Sequence, residues 1–195
     1  MTDAEIIERF VAIFSGGEPL MVFRDSSIPK GVNVEHLEPL LVTPWNERGC
    51  ALWRPTPIQF GPEALERLYE SIPGPLPPLY ERLIGSYYFG DVEVRSFRLL
   101  PNFPPAFDGL VKAIKEDTVM YPILAAGGFI QFGRAPEYDY DPLCFDTKRR
   151  LPDGDCRIVR FDHEEILVEG RLGIATTVAD SFRQLVTREI NEDER

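Results

Sequence analysis

Gly128-Phe-Ile-Gln-Phe-Gly133, Pro142-Leu-Cys-Phe-Asp146 and Cys156-Arg-Ile-Val-Arg-Phe161 are the stretches that decide the fold. Each is a short run rich in aromatic and aliphatic residues bounded by turn formers, which predicts a strand. The connection Lys148-Arg-Arg-Leu-Pro-Asp-Gly154 ends in Asp-Gly, so the last two strands are expected to pair as a hairpin. Val178, Phe182, Leu185, Val186 and Ile190 then fall at i, i+4, i+7, i+8 and i+12, predicting a closing helix over 177–190. Helices, an antiparallel sheet and a last helix make an α+β arrangement, an antiparallel sheet flanked by helices. Alternating β-α-β units with a glycine-rich first turn are missing from the pattern, which argues against a doubly wound nucleotide-binding fold.

Toward the N-terminus, Ile6, Phe10, Ile13 and Phe14 form one helical stripe over 3–14. Thr2 and Glu5 have capping-box spacing, and Gly16-Gly17 stops the helix. Leu20 to Phe23, Leu40 to Thr43 and Cys50 to Trp53 are candidate strands in a proline-punctuated stretch. Gly61 and Pro62 open a helix over 62–72 carrying Leu65, Leu68, Tyr69 and Ile72. Pro73-Gly-Pro-Leu-Pro-Pro78 could be a polyproline ligand, but the better reading has it end one helix and start the next. That next helix sets Leu76, Tyr80, Leu83 and Ile84 on one face. Strand formers fill 85–100, and a helix over 106–116 follows with Phe107, Leu110, Val111 and Ile114. The organisation expected is an N-terminal extension over 1–60, packed on the core, and a domain over 61–190.

The 195 residues carry 21 basic and 32 acidic side chains, a formal net charge of −11. That charge argues against binding nucleic acid or anionic membranes, both of which need Lys and Arg clusters. It suits a basic protein partner approached by electrostatic steering. With 44% hydrophobic residues the chain can build a core. Three cysteines in no Cys-x-x-Cys pair, no basic-then-apolar leader and no apolar run near about 20 residues point to the cytoplasm.

Phosphate-loop, dinucleotide, nucleophile-elbow and His-Glu-x-x-His motifs are not found. With His36 and His163 as its two histidines, the chain cannot build a three-histidine metal site. A mixed site from Asp139, Asp141, Asp162, His163, Glu164 and Glu165 is conceivable, but Asp162 and His163 diverge if the third strand continues through them. The competing reading is a strand end with a hydrogen-bonded His163 and solvated acids. No cofactor is expected. Glu137, Tyr138, Asp139, Tyr140 and Asp141 place three acids and two aromatics in one loop, the candidate protein-binding site; the alternative is a polar loop with its tyrosines against the core. Lys148-Arg149-Arg150 reads as a solvated turn, and Cys144 and Cys156 as buried apolar thiols.

In the C-terminal part, Gly128-Phe-Ile-Gln-Phe-Gly133, Asp141-Pro-Leu-Cys-Phe-Asp146, Ile158-Val-Arg-Phe-Asp-His163-Glu164 and Ala179-Asp-Ser-Phe182-Arg-Gln-Leu185 come in an order that resembles the SMI1/KNR4, or SUKH, superfamily. Pro75-Leu-Pro-Pro-Leu-Tyr80 is similar to that family's early Leu-Pro-x-x-Tyr element. The resemblance spans about residues 61–188, and the chain departs from the pattern over Val92 to Met120 and 147–155. It implies a non-catalytic binding module with no catalytic residues to carry over. Many bacterial members are similar to immunity proteins that neutralise a cognate toxin, and fungal members to signalling scaffolds. The function expected is therefore toxin neutralisation by binding. The alternatives are an intracellular scaffold or regulator, or a metal-assisted hydrolase built on the His163 cluster.

Overall fold

A computed structural model describes residues 1–16, 19–136 and 140–194. Its helices are α1 (Asp3–Ser15), α2 (Pro62–Ser71), α3 (Pro78–Ser86), α4 (Asp108–Lys115), α5 (Met120–Gly127), α6 (His163–Glu169) and α7 (Phe182–Asp193), with a 3-10 turn over Val34–Leu40. Its strands are β1 (Leu20–Phe23), β2 (Cys50–Trp53), β3 (Thr56–Pro57), β4 (Tyr87–Tyr88), β5 (Val92–Glu93), β6 (Arg98–Leu99), β7 (Phe129–Arg134), β8 (Pro142–Arg150), β9 (Cys156–Arg160) and β10 (Thr176–Ala179). Six of them form an antiparallel sheet in the order β10-β9-β8-β7-β6-β5; β1-β2 and β3-β4 are separate two-stranded ribbons. The class is α+β, an antiparallel sheet flanked by helices.

The sheet has a full face and a thin face. Along β8, Leu143 and Phe145 point one way and Cys144 the other, as the two-residue period requires. Leu143, Phe145, Ile130, Phe132 and Ile158 join the large core with α1, α3, α4 and α7. Its centre is aromatic: Phe132 stacks on Phe145 with centroids 4.3 Å apart, and Tyr80 and Phe182 meet both rings edge-on. Cys144, Val159 and Phe161 face the other way, onto Met120, Leu124 and Ile166 of α5 and α6.

Residues 1–60 share the large core. Phe10 of α1 stacks 6.0 Å from Phe97, and Ile6, Ile7 and Trp53 are buried in the same cluster. The Thr2–Glu5 capping box forms as expected. Asp3, held below the ordinary carboxylate range by the Arg183 guanidinium that donates to it, ties α1 to α7.

The proline-rich linker is structural. Leu76 and Pro77 are buried, and Arg150 donates to the carbonyls of Pro75 (2.6 Å) and Leu76 (3.2 Å). The bond ties the linker to the end of β8, so Arg150 is a clamp where a solvated turn was expected. The Asp-Gly turn forms as read: Gly154 sits at φ +86°, and Arg150 pairs with Cys156 across the hairpin.

Three elements depart from expectation. Leu40 to Thr43 is no strand of the fold: Leu40 ends the 3-10 turn, and Leu41 makes one bridge to Trp53. The last helix begins at Phe182 rather than 177, because Val178 lies in β10 and Ser181 caps α7 by accepting from the Gln184 N–H at 3.0 Å. The third strand stops at Arg160, and Asp162 caps α6.

Tyr80 is fully buried, and its hydroxyl has no hydrogen-bond partner among the described residues. Burial pushes the phenol far above its ordinary range. A buried donor without an acceptor costs about 1–3 kcal/mol. Tyr80→Phe should therefore leave the urea midpoint unchanged or raise it by an amount worth up to about 1 kcal/mol.

Cys144 and Cys156 are buried free thiols, as expected; Cys50 is half-buried. Burial pushes the Cys156 thiol from 9.0 up to about 11, and Cys144 well above its ordinary value. Because the folded pKa is raised, the Cys156 thiol's contribution is whole below about pH 9 and is lost as pH rises toward about 11, and that of Cys144 is lost in the same direction. The urea midpoint should fall between pH 8.5 and 10.5, less steeply in Cys156→Ala. In native protein an aromatic disulfide reagent should titrate Cys50 first, with the other two reacting at the global unfolding rate.

Candidate functional site

The end of β9 and the start of β8 are neighbours in the sheet, Leu143 opposite Arg160. That register sets Asp141, one residue before β8, beside the chain leaving β9. There Asp162 leaves the sheet in an extended conformation and its carboxylate accepts from the Glu164 N–H (2.8 Å) and Glu165 N–H (3.4 Å). An aspartate with such donors starts a helix readily, and two further acids in the first turn suit the helix dipole.

The Asp141 carboxylate is buried and engaged on both oxygens. Oδ1 accepts from the His163 backbone N–H at 3.0 Å and lies 2.8 Å from the imidazole Nδ1. Oδ2 is 3.7 Å from the Arg160 guanidinium. Tyr140 is 61% exposed, its ring 5.6 Å from His163 and 5.9 Å beneath the Arg134 guanidinium. Asp141, Arg160, Asp162 and His163 border an open cleft of about 490 Å³, lined also by Glu164, Glu165, Ile174 and Thr176. Ile174 is 92% exposed there, and Val168 of α6 is 83% exposed.

Of the candidate docking loop, Glu137, Tyr138 and Asp139 lie outside the described residues. Tyr140 faces solvent, whereas Asp141 is turned inward to organise the end of β9 and the start of α6. The anticipated divergence of Asp162 and His163 does not arise, because the strand has ended; Asp141, Asp162 and His163 bring one ligand atom each within 4.8 Å. Such a trio has the donor types of a divalent-metal site. A cation there would compete with Arg160 for Asp141, with the two backbone N–H groups for Asp162, and with Asp141 itself for the imidazole Nδ1. As built, the trio holds the β9–α6 corner.

Glu164 and Glu165 were considered from the sequence only as ligands of a mixed metal site; Val168, Ile174 and Thr176 were not singled out. The helix that carries Glu164 and Glu165 was missed, though its signal was present: Asp162 followed three residues later by Glu165, ahead of Ile166-Leu167, has helix-start spacing. Ile174 stands outside any periodic run, so nothing in the pattern marks it. Comparison with protein-family models and with curated proteins finds no match to this chain. Among the described residues no helix is long and apolar enough to cross a membrane.

Proposed function

We propose that this chain is a non-catalytic protein-binding module of the SMI1/KNR4 type, acting in the cytoplasm as an immunity protein that neutralises a cognate basic toxin by occluding it. The observation that carries the reading is the exposure of Ile174 on a cleft rich in carboxylates, with the exposed Tyr140 ring beside His163 of that cleft. Large apolar and aromatic side chains held in water beside charge are the makings of a contact surface: the aromatics supply affinity and the acids supply on-rate. The net charge of −11 acts in the same direction at long range.

Co-expression with toxins encoded by neighbouring genes tests the reading. Rescue of growth and a stoichiometric co-purifying complex are expected; failure with every neighbour sinks it. Tyr140→Ala should weaken the complex at least tenfold, by about 1.4 kcal/mol or more, mainly through a faster off-rate measured by surface plasmon resonance. An unchanged off-rate would remove Tyr140 from the interface.

The proximity of Asp141, Asp162 and His163 favours a second reading, a metal-assisted hydrolase. Titration with Zn²⁺ and Mn²⁺ followed by metal analysis separates the two. A stoichiometric ion that His163→Ala abolishes would promote the hydrolase.

A further inference from the structure

β10 is the last strand of the six-stranded sheet. Its inner edge pairs with β9, Thr176 opposite Arg160 and Thr177 opposite Val159; among the described residues no strand pairs with its outer edge. Residues 174–177 are exposed, so the edge is open to water. Edge strands are commonly protected by lysine, proline, an inward-pointing charge, a bulge or brevity; Thr176-Thr-Val-Ala179 is four residues long with a bulge between Thr177 and Ala179, but carries no lysine, proline or charge. Its free backbone N–H and C=O groups can therefore pair with an incoming extended chain.

Two clefts flank the strand. The carboxylate cleft of about 490 Å³ takes in Thr176. The other, of about 750 Å³, takes in Thr177 and Val178 and is walled by Gln184 and Arg188 of α7. Successive side chains of a strand point to opposite faces, so a segment paired with β10 would drop alternate side chains into the two clefts. The carboxylate cleft is lined by Asp141, Asp162, Glu164 and Glu165 against the single guanidinium of Arg160. The exposed Ile174 stands at its mouth.

We infer that β10 docks, by strand addition, an extended segment of the partner protein that presents lysine or arginine to the carboxylate cleft. The inference rests on the protein-binding reading and names its surface and the chemistry of its occupant. Charge selects this occupant over a second copy of the chain. Pairing β10 with its own image brings two acid-lined clefts, and two molecules of charge −11, to one seam.

The test titrates the full, ¹⁵N-labelled chain with the peptide acetyl-Lys-Val-Lys-Val-Lys-Val-amide. The controls are its glutamate-for-lysine counterpart and two versions N-methylated on alternate residues, one on the valines and one on the lysines. N-methylation keeps the charge but removes the N–H groups along one edge. The expected result is shifts and slowed hydrogen exchange at the amides of 176–178. Binding should weaken at least tenfold in one N-methylated version, at least fivefold in a Glu164→Gln, Glu165→Gln variant, and vanish for the glutamate peptide.

No binding, shifts confined elsewhere, or equal binding by both N-methylated versions overturns the assignment. So does a sedimenting dimer of the chain alone with the amides of 176–178 protected. If a toxin is still neutralised after any of these results, the docking surface is lost and the protein-binding reading stands. If the peptide binds as expected and no toxin does, the immunity role falls and the strand-addition edge remains.

Discussion

Phe182→Ala is expected to destabilise the fold by about 3–5 kcal/mol. Phe182 is fully buried, and its ring lies 5.2 Å from Tyr80 and 5.6 Å from both Phe132 and Phe145. Truncation removes the transfer free energy of the ring and leaves a cavity walled by three aromatic rings, which are too stiff to collapse into it. A domain of ordinary stability, about 5–15 kcal/mol, would lose a large share of its margin. Urea unfolding followed by tyrosine and tryptophan fluorescence reads the change as a drop in midpoint at unchanged slope. Phe182→Leu keeps most of the volume and should cost less than half as much. A loss below about 1 kcal/mol for the alanine variant would mean that the aromatic cluster is not the centre of the core.

Asp155→Ala is the second large effect, at about 3 kcal/mol, for a polar reason. The Asp155 carboxylate is buried and accepts three backbone N–H groups: Cys156 at 2.7 Å, Phe182 at 3.0 Å and Arg183 at 3.1 Å. Two of these belong to the first turn of α7, whose leading amides have no partner within the helix. Asp155 therefore fastens the start of α7 to the β8–β9 hairpin, and its removal strands three donors in the interior. Asp155→Asn keeps one acceptor oxygen and should cost about 1–1.5 kcal/mol. Asp155→Ala and Phe182→Ala act on the same junction, so their effects should fall short of additive; a double-mutant cycle measures the shortfall.

β7, β8 and β9 were readable as short apolar and aromatic runs between turn formers, because these strands are largely buried on both faces. Caps were readable at Thr2 and Gly61, and the hairpin turn at Gly154, where local chemistry alone sets the conformation. What escaped was short. α5 is nearly apolar throughout and eight residues long, with Pro122 inside it, so it shows no polar face. Its start is held by Asp117, which accepts from the Val119 and Met120 N–H groups. β10 was absorbed into the last helix because Val178 stands four residues before Phe182, a spacing that also fits a helical stripe. Ser181, a strong N-cap type, was the competing signal.

The candidate site was legible in part for the same reason. An acid next to a buried strand can face water or fold back, and only the sheet register shows that Asp141 folds back onto Arg160 and His163. Tyr140, one residue earlier, keeps its exposure. Ile174, the apolar residue in the cleft lining, lies in a glycine-flanked loop, where no periodicity reports on exposure.

α7 is the element that supplies Phe182 to the aromatic centre, and α1 packs on it. During synthesis the ribosome delivers α7 after every strand of the sheet, so the part of the apolar face that Phe182 covers stays open until then. Completion of the core is thus tied to the emergence of a segment far in sequence from α1, a non-local closure of the kind that slows folding. A nascent chain halted before residue 182 should consequently be a better chaperone client and protease substrate than the full chain.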